Sequence, residues 1–179
     1  MTNQQAAEET TYESHLDWRH SGSQEYPRSS ILKSRQYASG KGSIKGKFHM
    51  SDLQFWRAQV VRRIERITGV PVFGSIADIG AGPGIASAEM SRLPRVEMVF
   101  SVDYSEEAVL RSMPEVQPRV PGVDLSKIRR VLGNFDQIPE SKFDYIFAFG
   151  AMHNSADLAR SFSSAFRGLK SDGFLIVSD

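Results

Sequence analysis

The sequence predicts an α/β domain built on a doubly wound, mainly parallel sheet. Three observations predict it. Short, nearly continuous apolar runs alternate with helical patterns from Ser51 onward, which is how strands read when helices cover both faces of their sheet. The run Ser75–Ile79 stops at closely spaced glycines (Gly80, Gly82, Gly84) and enters a helix. A second apolar run ends on an acid, Asp103.

The elements follow in order. Residues 1 to about 25 are polar and mixed in charge, an irregular lead-in or mobile arm. From Arg28 to Lys47 every charge is positive (Arg28, Lys33, Arg35, Lys41, Lys45, Lys47), with Ser and Gly interspersed. This stretch reads either as a solvated loop or as a lid that closes on a bound ligand and steers an anionic substrate. Residues 1–50 thus form an arm, and 51–179 the core domain.

Ser51-Asp52-Leu53-Gln54 has the form of a capping box. Leu53, Trp56, Val60, Ile64 and Ile67 recur at helical spacing, with Phe55 and Trp56 as core residues, until Gly69 and Pro71 stop the helix. Strand Ser75–Ile79 precedes helix Ile85–Leu93, closed by Pro94; strand Val96–Val102 precedes a helix over Ser105–Met113. A proline-rich connection (Pro114, Pro118, Pro121) leads to strand Ile128–Leu132, and Phe143–Phe149 is the next strand. Helix Ala156–Leu169 carries Leu158, Phe162, Phe166 and Leu169 on one face, and Gly173 turns the chain into strand Phe174–Ser178.

With 179 residues, 40% of them hydrophobic, the chain can bury a sizeable core. A formal net charge of +1 gives no support for nucleic-acid binding by bulk electrostatics. The absence of cysteine removes disulfides, thiolate metal sites and cysteine nucleophiles. His15, His20 and His49 lack partners at metal-ligand spacing, so no metal site is expected. The N-terminus is polar and acidic, unlike a signal peptide, and no run has the length of a membrane span. A cytoplasmic protein is the expectation.

The glycine run and the acid carry the chemistry. Glycine accepts backbone conformations closed to other residues and lets a ligand approach the bare chain. A helix N-terminus offers unpaired N–H groups to a polar ligand. An acid at the next strand tip, about 20 residues on, suits a ribose hydroxyl pair. Together they point to a nucleoside-containing cofactor. The alternative for Asp103 is a cap on the helix that begins at Ser105.

Asp78-Ile79-Gly80-Ala81-Gly82-Pro83-Gly84 resembles motif I, D/E-x-G-x-G-x-G, of the class I S-adenosylmethionine-dependent methyltransferases, and Asp103 matches that family's acid after strand 2. Gly133-Asn134-Phe135-Asp136-Gln137-Ile138-Pro139 resembles the loop after strand 3, with Asn134 where the family usually has an acid for the adenine amino group. Either Asn134 or Asp136 would serve there. Phe143–Asn154 is similar to the family's strand 4 segment, and Leu169–Val177 resembles its L-K-P-G-G-x-L-x-I segment, with Ser171 and Asp172 at the Pro and first Gly.

The resemblance implies a Rossmann-like sheet with five strands in the order 3-2-1-4-5, the family's usual strands 6 and 7 lying outside this sequence. It implies S-adenosylmethionine as cofactor, held by Asp78, Gly80, Ala81, Gly82, Gly84, Asp103, Tyr104, Asn134, Phe135, Phe149 and Gly150. Tyr104 either stacks on the adenine or packs. His153, just past strand 4, is the candidate general base, or else orients substrate or faces solvent; Asp179 is a weaker candidate. The strand 4 loop lacks the N-P-P-Y motif of amino-directed DNA methyltransferases, and by family analogy it suggests a small-molecule acceptor. The basic arm leaves RNA or another polyanion open. Strand 5 would have a free edge, inviting a homodimer or cover from the N-terminal segment. A non-catalytic or truncated cofactor-binding module is the alternative to an enzyme.

Overall fold

The computed structural model of the chain describes residues 15–17 and 50–178, with side chains from residue 59 onward. The basic stretch 28–47, His20, His49, Asp179 and the capping-box side chains lie outside the described residues. The elements are β1 (His15–Asp17), α1 (Met50–Thr68), β2 (Gly74–Ile79), α2 (Ile85–Ser91), β3 (Val96–Asp103), α3 (Met113–Val116), β4 (Ile128–Leu132), β5 (Phe143–Phe149), α4 (Leu158–Gly168) and β6 (Leu169–Ser178). The strands form one sheet in the order β1-β4-β3-β2-β5-β6, and every pairing is parallel. Numbered from β2, that is the expected 3-2-1-4-5 arrangement.

β1 corrects one expectation. The lead-in is not irregular throughout: His15, Leu16 and Asp17 pair with Arg130, Val131 and Leu132. The outer edge of β4 presents unpaired backbone groups, and an extended segment satisfies them whatever its side chains. The N-terminal segment therefore joins the edge opposite β6. Among the described strands, β6 pairs with β5 alone.

Each sheet face has its own core. Ile76, Val99, Tyr145 and Phe147 pack with Ile64 of α1 and Met90 of α2. On the other face Ala77, Phe100, Val102, Ile146 and Ala148 pack with Ala165 of α4. α1 begins at Met50, one residue before the expected cap, and its Ile67 is 73% exposed rather than buried. Its last turn projects past the sheet-facing Ile64, and Gly69 closes it with its amide on the Glu65 carbonyl.

Two helices differ from the sequence reading. The helix after β3 does not stop before Pro114. A π-turn at Ala108–Ser112 runs into α3, then into a 3₁₀ turn at Gln117–Arg119. Proline cannot donate to the carbonyl four residues back, but it is tolerated in a first turn, and the wide π-turn ahead of it restarts the ladder there. In α4 the face turned to the sheet is made of Ser161, Ser164, Ala165 and Gly168. Its large residues point out: Leu158, Phe162 and Phe166 are 50%, 38% and 75% exposed. Small residues let the helix backbone approach closely, since a Cβ on Gly168 would stand 2.5 Å from Ile138 Cγ2. Leu169 has already left the helix, with φ −75° and ψ 145°, and opens β6.

Candidate functional site

In an open α/β sheet ligands gather beyond the carboxyl ends of the strands, where the strand order reverses. Here that point lies between β2 and β5, beside the loop that leaves β2. Gly80, Gly82 and Gly84 all have positive φ (70°, 55° and 74°). At Gly80 the conformation is doubly enforced, because a Cβ would lie 2.5 Å from the Cβ of Ala151. At Gly82 a Cβ would meet nothing within 4 Å. That glycine offers bare backbone to open space, the cradle a ligand needs. The loop is held from within: the Ala81 amide donates to the Val102 carbonyl at 2.9 Å, and the Gly84 amide to the Ala81 carbonyl at 2.9 Å.

Asp103 is the last residue of β3 and is only 7% exposed. Its Oδ2 accepts the Gly82 amide at 2.8 Å and its Oδ1 the Ser105 amide at 2.9 Å. The capping alternative for this acid is present: it holds the Ser105 amide at the turn into the next helix, and its other oxygen holds the glycine loop. Burial pushes its carboxyl above the ordinary carboxylate range, against the opposing pull of the Ser105, Gly82 and Tyr104 amides. Three amides on about four lone-pair sites leave the carboxylate room for a further donor.

Next to this pair lies a small, shallow crevice lined by Ile79, Gly80, Val102, Tyr104, Gly133, Asn134 and Phe135. Four expected residues meet there: Gly80, Tyr104, Asn134 and Phe135. Ile79, Val102 and Gly133 were not anticipated; the signal for the first two was their place directly before the loop glycine and the acid. Asn134 Oδ1 accepts the Asp136 amide at 2.9 Å. The Asp136 carboxylate is turned toward α4, with Ser161 Oγ at 3.3 Å and Arg160 Nε at 3.4 Å. Of the two candidates for the adenine amino group, only Asn134 lines the crevice.

The remaining expected residues lie around the crevice rather than in its lining. Asp78 is 2% exposed and accepts from Ser87 Oγ at 2.6 Å. Ala81 packs partly against Val109, Met113 and Leu132. Phe149 stacks on Phe147, ring centres 5.4 Å apart, within the core on the α1 face. Gly150 donates its amide to the Ser178 carbonyl at 2.7 Å. His153 is exposed in a 3₁₀ turn over Met152–Asn154.

The site's donor set fits an adenosyl group: a carboxylate for a hydroxyl pair, aromatic and aliphatic walls for a base, and an open glycine backbone. Residues 77–177, more than half of the chain, match the family model described as a methyltransferase domain. The chain belongs to that family, whose cofactor is S-adenosylmethionine, as the motif implied. No curated protein sequence matches it significantly. Among solved structures it is similar to the YcgJ protein from Bacillus subtilis (24% identity, TM-score 0.56, covering 67% of this chain and 50% of that one). It is also similar to a putative S-adenosyl-L-methionine-dependent methyltransferase from Methanococcus maripaludis (18%, TM-score 0.61, 89% and 67%). A third likeness is to the putative methyltransferase in a complex with the Trm112 methyltransferase activator from Haloferax volcanii (21%, TM-score 0.60, 86% and 60%). At these identities the likeness is one of fold. The chain spans half the length of the Bacillus protein and up to two thirds of the others.

Proposed function

We propose that this chain binds S-adenosylmethionine across the glycine loop and Asp103 and transfers its methyl group to a small-molecule acceptor in the cytoplasm. The observation that supports it most is the joined pair Gly82 and Asp103, open on the outer side and flanked by the crevice at Tyr104 and Phe135. When bound, the cofactor supplies a methyl on a sulfonium, already activated by the charge of its leaving group. The protein's tasks are then alignment and exclusion of water. Asp103 accepts from the ribose hydroxyls with the lone pairs its backbone partners leave free. Ile79, Val102, Tyr104 and Phe135 give the base an apolar slot, and Asn134 gives it a hydrogen-bonding edge. The loop backbone from Gly80 to Gly84, on this reading, holds the amino-acid end. His153 is the proposed proton acceptor for an acceptor substrate that carries a proton.

A second reading is a cofactor-binding module without turnover. It draws on the exposed Leu158, Phe162 and Phe166 of α4 and on the edge of β6 that no described strand pairs, a surface suited to a partner or a second copy. Calorimetric titration with S-adenosylhomocysteine, followed by transfer of labelled methyl from S-adenosylmethionine to small-molecule pools, tests both. Saturable heat with methyl transfer supports the enzyme. Saturable heat without transfer to any pool favours the module. Folded protein giving no heat at high micromolar ligand overturns the two together.

A further inference from the structure

A row of polar residues crosses the sheet under the glycine loop. Asp78, Ser101 and Arg130 sit in register on β2, β3 and β4. Ser87 of α2 bridges the first two, its Oγ 2.6 Å from Asp78 Oδ2 and 2.7 Å from Ser101 Oγ. Gln117, fully buried, bridges the next two: Nε2 donates to Ser101 Oγ at 3.2 Å, and Oε1 accepts from Arg130 Nε at 3.0 Å. Arginine only donates, so the Gln117 oxygen must face Arg130 and its NH2 must face the loop. Ser87 has one hydroxyl hydrogen. With that hydrogen on the Asp78 carboxylate, the contact between the two serines is made by the hydrogen of Ser101. Donors then run one way, from Arg130 through Gln117, Ser101 and Ser87 to Asp78.

The same carboxamide touches the far side of the loop. A Cβ on Gly84 would lie 2.3 Å from Gln117 Nε2 and 2.9 Å from its Cδ. Gln117 thus fills the volume that a side chain at Gly84 would take. The hydrogen-bond chain ends at Asp78, two residues before Gly80, and Gln117 abuts Gly84. One buried network grips the loop at both its start and its finish.

We propose that Gln117 is a positioning residue for the cofactor loop: its amide, oriented by Arg130 and Ser101, holds Gly80–Gly84 in the ligand-accepting conformation. This rests on the reading of that loop as the cofactor site. An apolar residue of similar volume would fill the space beneath Gly84 but would leave Ser101 and Arg130 without their partner, and buried polar groups left unpaired rearrange their surroundings.

The test is Gln117→Leu in the full chain, with amide hydrogen exchange of the ligand-free protein and calorimetry with S-adenosylhomocysteine. Exchange at Gly82 and Gly84 is expected to quicken by about tenfold or more while the β5 amides of Tyr145–Phe147 keep their wild-type rates, and affinity is expected to fall by about tenfold. Wild-type exchange at the two glycines overturns the proposal. So does equal acceleration at β5, which would mean general loosening. Should Gln117→Leu fail to fold, Ser101→Ala, which removes one oxygen from the middle of the chain, is judged by the same rates. The exchange comparison needs no ligand, so it stands even if wild-type protein gives no heat and the cofactor reading itself falls.

Discussion

The Gly82 amide donates to Asp103 Oδ2 at 2.8 Å, so two segments read separately in the sequence are one unit in space. The loop that follows β2 and the acid that ends β3 fix each other's position. A ligand that bonds to the free lone pairs of Asp103 therefore meets a loop already in place, and little ordering remains to oppose binding.

Replacing Asp103 by asparagine should change both binding and the pH dependence of stability. Burial raises the carboxyl in the folded chain, so the folded state holds this proton more tightly than the unfolded one. The associated stability is present below the ordinary carboxylate range and is lost as pH rises through the raised value. Asp103→Asn cannot titrate, so urea unfolding across acid pH should show a flatter profile than wild type. Affinity for S-adenosylhomocysteine should drop by about tenfold or more with the hydroxyl acceptor weakened. Parallel pH profiles would count against the buried carboxyl.

Alanine at the loop glycines should separate folding from binding. At Gly82 the cost is the left-handed backbone alone, about 1–2 kcal/mol, and the new methyl points into open space, where the proposed cofactor would approach. At Gly84 the same strain is joined by collision with Gln117, adding about 1–3 kcal/mol of overpacking. Urea midpoints should rank Gly84→Ala below Gly82→Ala, and Gly82→Ala should still lose affinity. The reverse order of midpoints would contradict the packing beneath the loop.

α4 invites a comparison between its smallest and one of its largest residues. Gly168→Ala should destabilise by about 1–3 kcal/mol, because its methyl enters the space of Ile138 and Ile146. Phe166→Ser, at a side chain 75% exposed, should shift stability by no more than about 0.5 kcal/mol. Thermal melts of the two variants check this, and a large loss from Phe166→Ser would show that the stripe is covered in solution.

At the other end of the sheet, Asp144 Oδ2 accepts from the Ser75 amide and from Lys170 Nζ, both at 2.8 Å. Asp144→Ala should lower stability by about 1–3 kcal/mol by stranding a partly buried amide. Lys170→Met removes only a half-exposed partner and should cost under about 1 kcal/mol. Equal losses in denaturant titrations would assign the effect to the ion pair instead of the backbone contact.

What the sequence discloses depends on how far the deciding interaction reaches. The limits of β4 and β5 are legible because Ile128, Val131 and Leu132 lead to Gly133 and the apolar run Tyr145–Phe149 leads to Gly150. Asp103 is legible because its strand and its loop each carry a local signal. The orientation of α4 is not, since Ser161, Ser164 and Gly168 earn the sheet-facing side by being small, which a search for apolar spacing ranks last. Pro114 reads as a stop because a π-turn has no sequence signature of its own. The network under the loop was hidden for a different reason: Ser87, Gln117 and Arg130 look like surface residues until register aligns Asp78 with Ser101 and Ser101 with Arg130. The one available hint was Ser101, a polar residue inside the apolar run from Met98 to Val102.

β1 meets β4 across more than a hundred intervening residues, through three backbone partners. Closing so wide a circuit costs chain entropy that only a finished neighbour can offset. The earliest of the described strands is thus a latecomer to its own sheet. It can come away first on warming, uncapping β4 while the five strands beside it stay zipped.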